Sequence, residues 1–210
     1  MEEHLKELQQ IRSIMERSGR FLSLSGASGI LAGCYAIAGT LVFSYLQDYP
    51  LFDTGGLYIQ ALASPPAFRQ AVIIAALVLL ASLGTGMAMS WRKSRRDGTS
   101  WWSAPARQML VNLLLPLFAG GIVCFLMGWQ MHFSLIPGLT LVFYGLALFA
   151  ASRYTFNDIR YLGLAEVILG LAAIARPDFG LLSWMTGFGL FHILYGIVMY
   201  FRYERPVVKS

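Results

Sequence analysis

Six long apolar runs, each closed by polar, proline or glycine residues, limit what this chain can become more than any other feature. They cover residues 21–46, 68–91, 109–127, 132–151, 159–175 and 181–201. Their apolar residues are continuous rather than alternating. That excludes barrel strands and leaves helices to satisfy the backbone in lipid. A helix needs about 20 predominantly apolar residues to cross a bilayer, so the fifth run is short and needs its flanks. Charged residues make up 13% of the chain, against about 25% in soluble domains. The fold class expected is therefore all-α: a polytopic membrane protein whose six transmembrane helices, residues 21–205, form three hairpins.

Lys and Arg set the orientation. Fourteen of the 16 basic residues fall in the N-terminal segment, the segments after runs two and four, and the tail. Only Arg69 and Arg176 fall on the other side. Both termini are thus expected in the cytoplasm, with an inner membrane as the site. The net charge of +5 then serves topology, and no soluble basic face remains for nucleic acid. Met1-Glu-Glu-His lacks the character of a secretory leader, so the first span is expected to be retained. Residues 1–20 read as a cytoplasmic amphipathic helix, with Leu5, Leu8, Ile11, Ile14 and Met15 on one face. It would lie on the inner membrane surface, pack on the cytoplasmic loops, pair with a second copy, or dock a partner protein. Arg92, Lys93, Arg95 and Arg96, followed by Trp101 and Trp102, combine cations with indoles and suit anionic lipid headgroups.

Two ionisable side chains interrupt the last two runs, which are joined by Arg176-Pro-Asp-Phe-Gly180. Glu166 lies 12 residues before Asp178 and His192 lies 14 after it. At 1.5 Å per residue both sit about 18–21 Å from the turn, at similar depth. Ionisable groups at membrane depth are costly and ordinarily face the bundle interior with a partner. Cys34, Tyr35, Ser82, Thr85, Tyr144 and Tyr195 fall at comparable depths and suggest a polar layer. The site expected is a Glu166–His192 pair with Tyr144 or Tyr195 as hydrogen-bond partner, and with Tyr35 nearby. Desolvation and a protonated imidazole would act on the carboxyl in opposite senses. The plainer alternative is that Glu166 only fixes helix packing.

Elsewhere the pattern speaks of packing. Gly26, Gly29, Gly33 and Ala36 form a small-residue stripe that permits close helix approach. Serine and threonine in the spans are expected to act as interhelical glue. Cys34 and Cys124 differ in depth by roughly 13 Å, too far for a disulfide, and read as buried packing residues. Residues 47–67 form the longest outer loop, an ordinary cap or a lid. Ser103-Ala-Pro105 starts a helix, and Pro116 should kink it.

Tyr144-Gly145 before Arg153-Tyr154, and Tyr195-Gly196 before Arg202-Tyr203, form a faint repeat consistent with duplicated hairpins. The run from Leu162-Gly-Leu-Ala-Glu through Ala175-Arg-Pro177, then Gly187-Phe-Gly-Leu-Phe-His through Gly196, resembles the hairpin of HdeD-like small six-helix bacterial inner-membrane proteins. The resemblance covers about 45 residues. It implies a link to envelope or acid stress and carries over no catalytic residue; Glu166 and His192 lie outside its pattern.

Gly-x-Ser-x-Gly, Walker, His-Glu-x-x-His and dinucleotide-binding glycine motifs are all missing, which leaves only an enzyme site assembled from distant residues. One His and one Glu are too few donors for a metal, and His132 lies too shallow to join them or to pair with His192 around haem, so no cofactor is expected. The reading is a non-enzymatic membrane protein that binds or passes a small apolar or protonatable ligand at Glu166 and His192. The alternative is a structural or interaction subunit. Too few polar residues line the spans for a monomeric ion pore.

Overall fold

The computed structural model describes residues 20, 21, 24–48, 64–98 and 100–204, which are helical with no strand among them. The expected amphipathic helix and most of the long outer loop lie outside the described residues. The helices are α1 (Gly26–Leu46), α2 (Pro65–Arg96), α3 (Ala104–Trp129), α4 (Ile136–Ala151), α5 (Asp158–Ala175) and α6 (180–204). Among the described residues, five helical stretches are long and apolar enough to cross a membrane: Gly26–Leu46, Pro65–Arg96, Ala104–Trp129, Phe133–Tyr154 and Pro177–Glu204. The sixth expected span, α5, is 18 residues long and carries Asp158, Arg160 and Glu166 within that length, whereas each of those five contains an 18-residue stretch with at most two charged residues.

Local chemistry explains the starts of α2 and α3. Ser64 accepts a hydrogen bond from Ala67 N, with Pro65 and Pro66 in the first turn of α2. Ser103 likewise caps α3 through Ala106 N, with Pro105 in its first turn. Proline there removes only an N–H that has no helical partner. Arg92, Lys93, Arg95 and Arg96, expected in a loop, belong to the last turns of α2, where cations favour the negative end of the helix dipole.

The first span also starts later than expected, at Gly26 rather than residue 21. The preceding chain is held otherwise: Phe21 N donates to Tyr154 O at 2.7 Å, and Thr155 Oγ1 donates to Phe21 O at 2.7 Å. Gly26 N, an N-terminal group without a helical acceptor, donates to Glu204 Oε1 at 2.9 Å. Lys93 Nζ reaches the same oxygen at 3.1 Å and Leu24 O at 2.7 Å. One ion pair therefore ties the start of α1 to the ends of α2 and α6. Replacing Lys93 by Ala is expected to cost about 1 kcal/mol, since the pair is largely shielded from water. The loss should be smaller in a Glu204→Ala background, where only the bond to Leu24 O remains to be lost, when thermal unfolding of the four proteins is compared as a cycle.

Glycine arranges the bundle. α4 runs antiparallel to α5, and a Cβ at Gly138 or Gly145 would strike the backbone of Gly170 or Gly163 respectively, and conversely. α1 meets α6 in the same way, Gly26 against Gly196 and Gly33 against Gly189. Each helix places its two glycines seven residues apart, two turns along one face, so the backbones touch twice. The stripe predicted on α1 is thus a packing surface, and the faint Tyr-Gly repeat marks equivalent contacts in two helix pairs. Packed neighbours run α2, α1, α6, α5, α4, α3, with no packed face joining α2 to α3 among the described residues.

The hydroxyls behave differently from expectation. Thr40, Thr85, Thr140, Ser152 and Thr186 each donate to a carbonyl three or four residues back in their own chain. A nearby carbonyl on the same helix outcompetes a distant one across an interface already closed by glycine. Cys34 is exposed rather than buried, one position off the Gly33–Ala36 packing line, and Cys124 is half-buried; both are free thiols.

Candidate functional site

α6 is not a uniform helix. It begins as an α-helix at Gly180–Trp184, widens to a π-helix over Met185–Phe191, and returns to α over His192–Met199. The wider turn leaves Gly187 O facing the His192 ring, whose Nδ1–H donates to it at 3.0 Å. Short π segments often occur at functional sites. Sequence reading missed this one, and Gly187 and Gly189, which lower the cost of irregular backbone, are its only signal.

A carbonyl can only accept, so Nδ1 carries the hydrogen and Nε2 of the neutral ring is left as an acceptor. Tyr144 O–H donates to Nε2 at 2.7 Å. The phenol and imidazole rings also stack, with centroids 5.4 Å apart. Phe188 lies against Tyr144, and Trp184 against Phe188. His192 is thus fixed in tautomer and orientation by a backbone carbonyl, a hydroxyl and an aromatic wall.

Glu166 comes from α5, at the level where α4 and α6 flank it. It is 0% exposed, and its Oε1 lies 3.6 Å from His192 Nδ1. That hydrogen is already directed at Gly187 O, and 3.6 Å is beyond hydrogen-bond range. Neither carboxyl oxygen has a hydrogen-bond partner among the described residues. The carboxyl is enclosed closely: a Cβ at Gly187 would run into Glu166 Oε2 and the Leu141 side chain. Glycine at 187 therefore provides the room that the carboxylate occupies. Buried acceptors without donors cost about 1–3 kcal/mol, and more when charged.

Of the other residues singled out in the sequence, Tyr195 lies three positions after His192 but does not bond to it. Its ring packs with that of Tyr144 against the cluster of Leu148, Ile159 and Leu162, and its buried hydroxyl has no hydrogen-bond partner among the described residues. Tyr35 is half-buried on α1 and forms no hydrogen bond to Glu166 or His192 among the described residues. His132 lies exposed between α3 and α4, far in sequence and level from His192. Among the described residues, no three of His, Cys, Asp and Glu are grouped as metal ligands.

Of the group assigned to lipid headgroups, Arg92, Arg95, Arg96, Trp101 and Trp102 are exposed. Arg95 lies over the Trp91 ring, and Trp101 contacts Trp102. Lys93 departs from that group because Glu204 and Leu24 O hold it inward.

An apolar cleft lies elsewhere among the described residues. It measures about 130 Å³ and opens between α1, α2, α4 and α6, toward the end opposite the basic residues. Thr40, Phe43, Phe68, Phe133, Thr140 and Trp184 are among its lining, and both threonine hydroxyls are spent on their own helices. The cleft can hold an apolar group but offers it little polar recognition. Comparison with protein-family models, curated proteins and solved structures gives no match to this chain.

Proposed function

We propose that this chain is a small, non-enzymatic integral membrane protein with six spans and both ends in the cytoplasm, built around a proton-linked site at Glu166, His192 and Tyr144. One observation carries the reading: a wholly enclosed carboxyl, neither of whose oxygens has a hydrogen-bond partner among the described residues, stands beside an imidazole held in place by other groups. Packing alone does not call for such an arrangement, because an apolar side chain of the same volume would fill the space at lower cost. What the carboxyl lacks is a donor. Gly187 and Leu141 close around it so tightly that a proton, or the N–H of a very small protonatable ligand, fits better than a larger molecule. An apolar ligand would instead use the cleft beside Trp184, which touches the cluster through Phe188.

Six spans require α5 to cross with its charges at the end near Asp158 and Glu166 turned inward, and its close antiparallel packing on α4 supports this. The exposed arginines and indoles suit anionic headgroups at the inner leaflet. The HdeD-like look of the last hairpin supports a bacterial inner membrane and a role under acid or envelope stress.

Counting protons tests the site. The purified protein in lipid nanodiscs, titrated potentiometrically between pH 4 and 9, is expected to exchange one more proton per chain than its Glu166→Gln variant. Superimposable curves would remove the proposal.

A second reading, an interaction subunit, has its own support. A Cβ at Gly26, Gly33, Gly138, Gly145, Gly163 or Gly170 would run into a neighbouring helix, whereas one at Gly84, Gly86 or Gly121 would meet nothing within 4 Å. Large apolar side chains of α2 and α3 are exposed beside them. Copurification of a second polypeptide from native membranes, lost on Gly84→Leu substitution, would favour this reading.

A further inference from the structure

We infer that the apolar cleft takes one acyl chain of an anionic phospholipid, whose headgroup is held at the membrane surface by Arg69. This site rests on the reading that the helices stand in a bilayer with an apolar ligand in the cleft, and it does not depend on Glu166.

The walls suit hydrocarbon. They are aliphatic and aromatic apart from Thr40 and Thr140, whose hydroxyls donate to Ala36 O at 2.9 Å and Pro137 O at 2.7 Å. Polar ligands are ordinarily oriented by a few well-placed polar groups, and both hydroxyl hydrogens here are already used. The volume of about 130 Å³ is close to the roughly 150 Å³ of a dry cavity that holds benzene. It has room for a short piece of one chain and not for a whole lipid. Access comes from the side. Phe68, in the first turn of α2, meets Phe133, just before α4, with ring centroids 4.2 Å apart. The tip of Phe68 also reaches α3, 3.6 Å from where a Cβ on Gly128 would lie. These rings stand between the cleft and the water at that end. Deeper in, α2 and α4 share no packed face among the described residues, and Val72 in the cleft wall is 50% exposed. The mouth therefore faces lipid.

Charge selects the lipid. Arg69 and Arg176 are the two basic residues at this end, and Arg176 lies over the Phe179 ring. Arg69 is exposed and has no ion pair among the described residues. It stands three residues before Val72, one turn nearer the surface on the exposed flank of the cleft wall. Helical side chains lean toward the N-terminus, which carries its guanidinium to headgroup level. There it can pair with phosphate through two hydrogen bonds. A zwitterionic headgroup would bring its own cation beside the guanidinium, and an anionic one does not. Arg69 and Ala75 are six residues apart, about 9 Å along α2, so a chain whose phosphate meets Arg69 reaches the mouth beneath the two rings. At the deep end its tip would meet Trp184, 4.9 Å from Phe188, which lies 5.0 Å from Tyr144. An occupant thus touches the aromatic wall behind His192.

Tryptophan quenching by brominated lipid tests the site. Trp91, Trp101, Trp102 and Trp129 are replaced by Phe, which leaves Trp184 as the reporter. The protein is placed in phosphatidylcholine nanodiscs holding a minor share of lipid brominated along its chains. Brominated phosphatidylglycerol is expected to quench Trp184 at about one-fifth of the mole fraction that brominated phosphatidylcholine needs, the effect of one cation near anionic lipid. Arg69→Gln, an exposed change that leaves the walls intact, should remove that difference. Ala75→Phe, which fills the mouth, should protect Trp184 from both lipids; if it fails to fold, Arg69→Gln decides alone. A matching protein that keeps only Trp129, exposed on α3, should be quenched equally by the two lipids and respond to neither substitution. Quenching of Trp184 without headgroup preference, or a preference that survives Arg69→Gln, would overturn the inference. So would a folded Ala75→Phe protein that is still quenched, or a Trp184 that neither lipid quenches while Trp129 is quenched. If Trp129 escapes quenching as well, the helices do not face lipid, and the membrane reading fails together with the site.

Discussion

Replacing Glu166 by Met is expected to raise the unfolding free energy by about 1–3 kcal/mol while abolishing proton exchange at the site. Methionine has nearly the same length and volume as glutamate and brings no acceptor that must be satisfied. In the native protein both carboxyl oxygens are buried away from any donor among the described residues. Removing them therefore removes a desolvation cost and forfeits no protein hydrogen bond. His192 should be little disturbed, since Gly187 O and Tyr144 hold its ring without help from Glu166. The comparison calls for reversible unfolding in mixed micelles, alongside Glu166→Gln as a shape-preserving control. A Met variant less stable than the original would mean that the carboxyl has a donor after all, supplied by water or a ligand. Stability and function would then be aligned at this position rather than opposed.

The second large effect concerns the glycine contacts. Gly145→Val is expected to destabilise the protein by about 3 kcal/mol, the upper end for overpacking, and to reduce the yield of monodisperse protein. Its Cβ would fall on Gly163 O and on Val167. A backbone carbonyl in a regular helix cannot step aside as a flexible side chain can. Separating α4 from α5 would relieve the clash, but it would also lift Glu166 away from the His192–Tyr144 pair. Gly84→Ala is the matching control, because open space surrounds that position. It should change stability by less than about 1 kcal/mol, in the favourable direction of helix propensity. Thermal unfolding in one detergent ranks the two; a Gly145→Val protein as stable as the original would mean the helices are not held at backbone contact.

The glycine pairs also show how far the sequence could be read. The small-residue stripe on α1 announced a close contact, because only small side chains let backbones approach. Its partner on α6 was not legible, since glycines spaced by seven residues also occur on α4 and α5 and any two such faces fit each other. The pairing of α1 with α6 and of α4 with α5 depends on the rotation of each helix about its axis. Long apolar stretches do not encode that rotation, because lipid tolerates every apolar face.

The site divides along the same line. Continuous apolar runs, proline and serine at helix starts and the rarity of charge determined an all-helical chain with membrane-length helices. The cost of an ionisable group in lipid singled out Glu166 and His192, and distance from the turn put them near one level. Tertiary structure alone decided that Tyr144, not Tyr195, holds the imidazole, that Lys93 turns inward to Glu204, and that the hydroxyls bond back to their own helices. It also decided that Glu166 has no hydrogen-bond donor among the described residues. Depth is additive along a helix and can be counted from a sequence. Which side chain finds a partner depends on angles and on a π turn only a few residues long, and these are fixed when the helices pack.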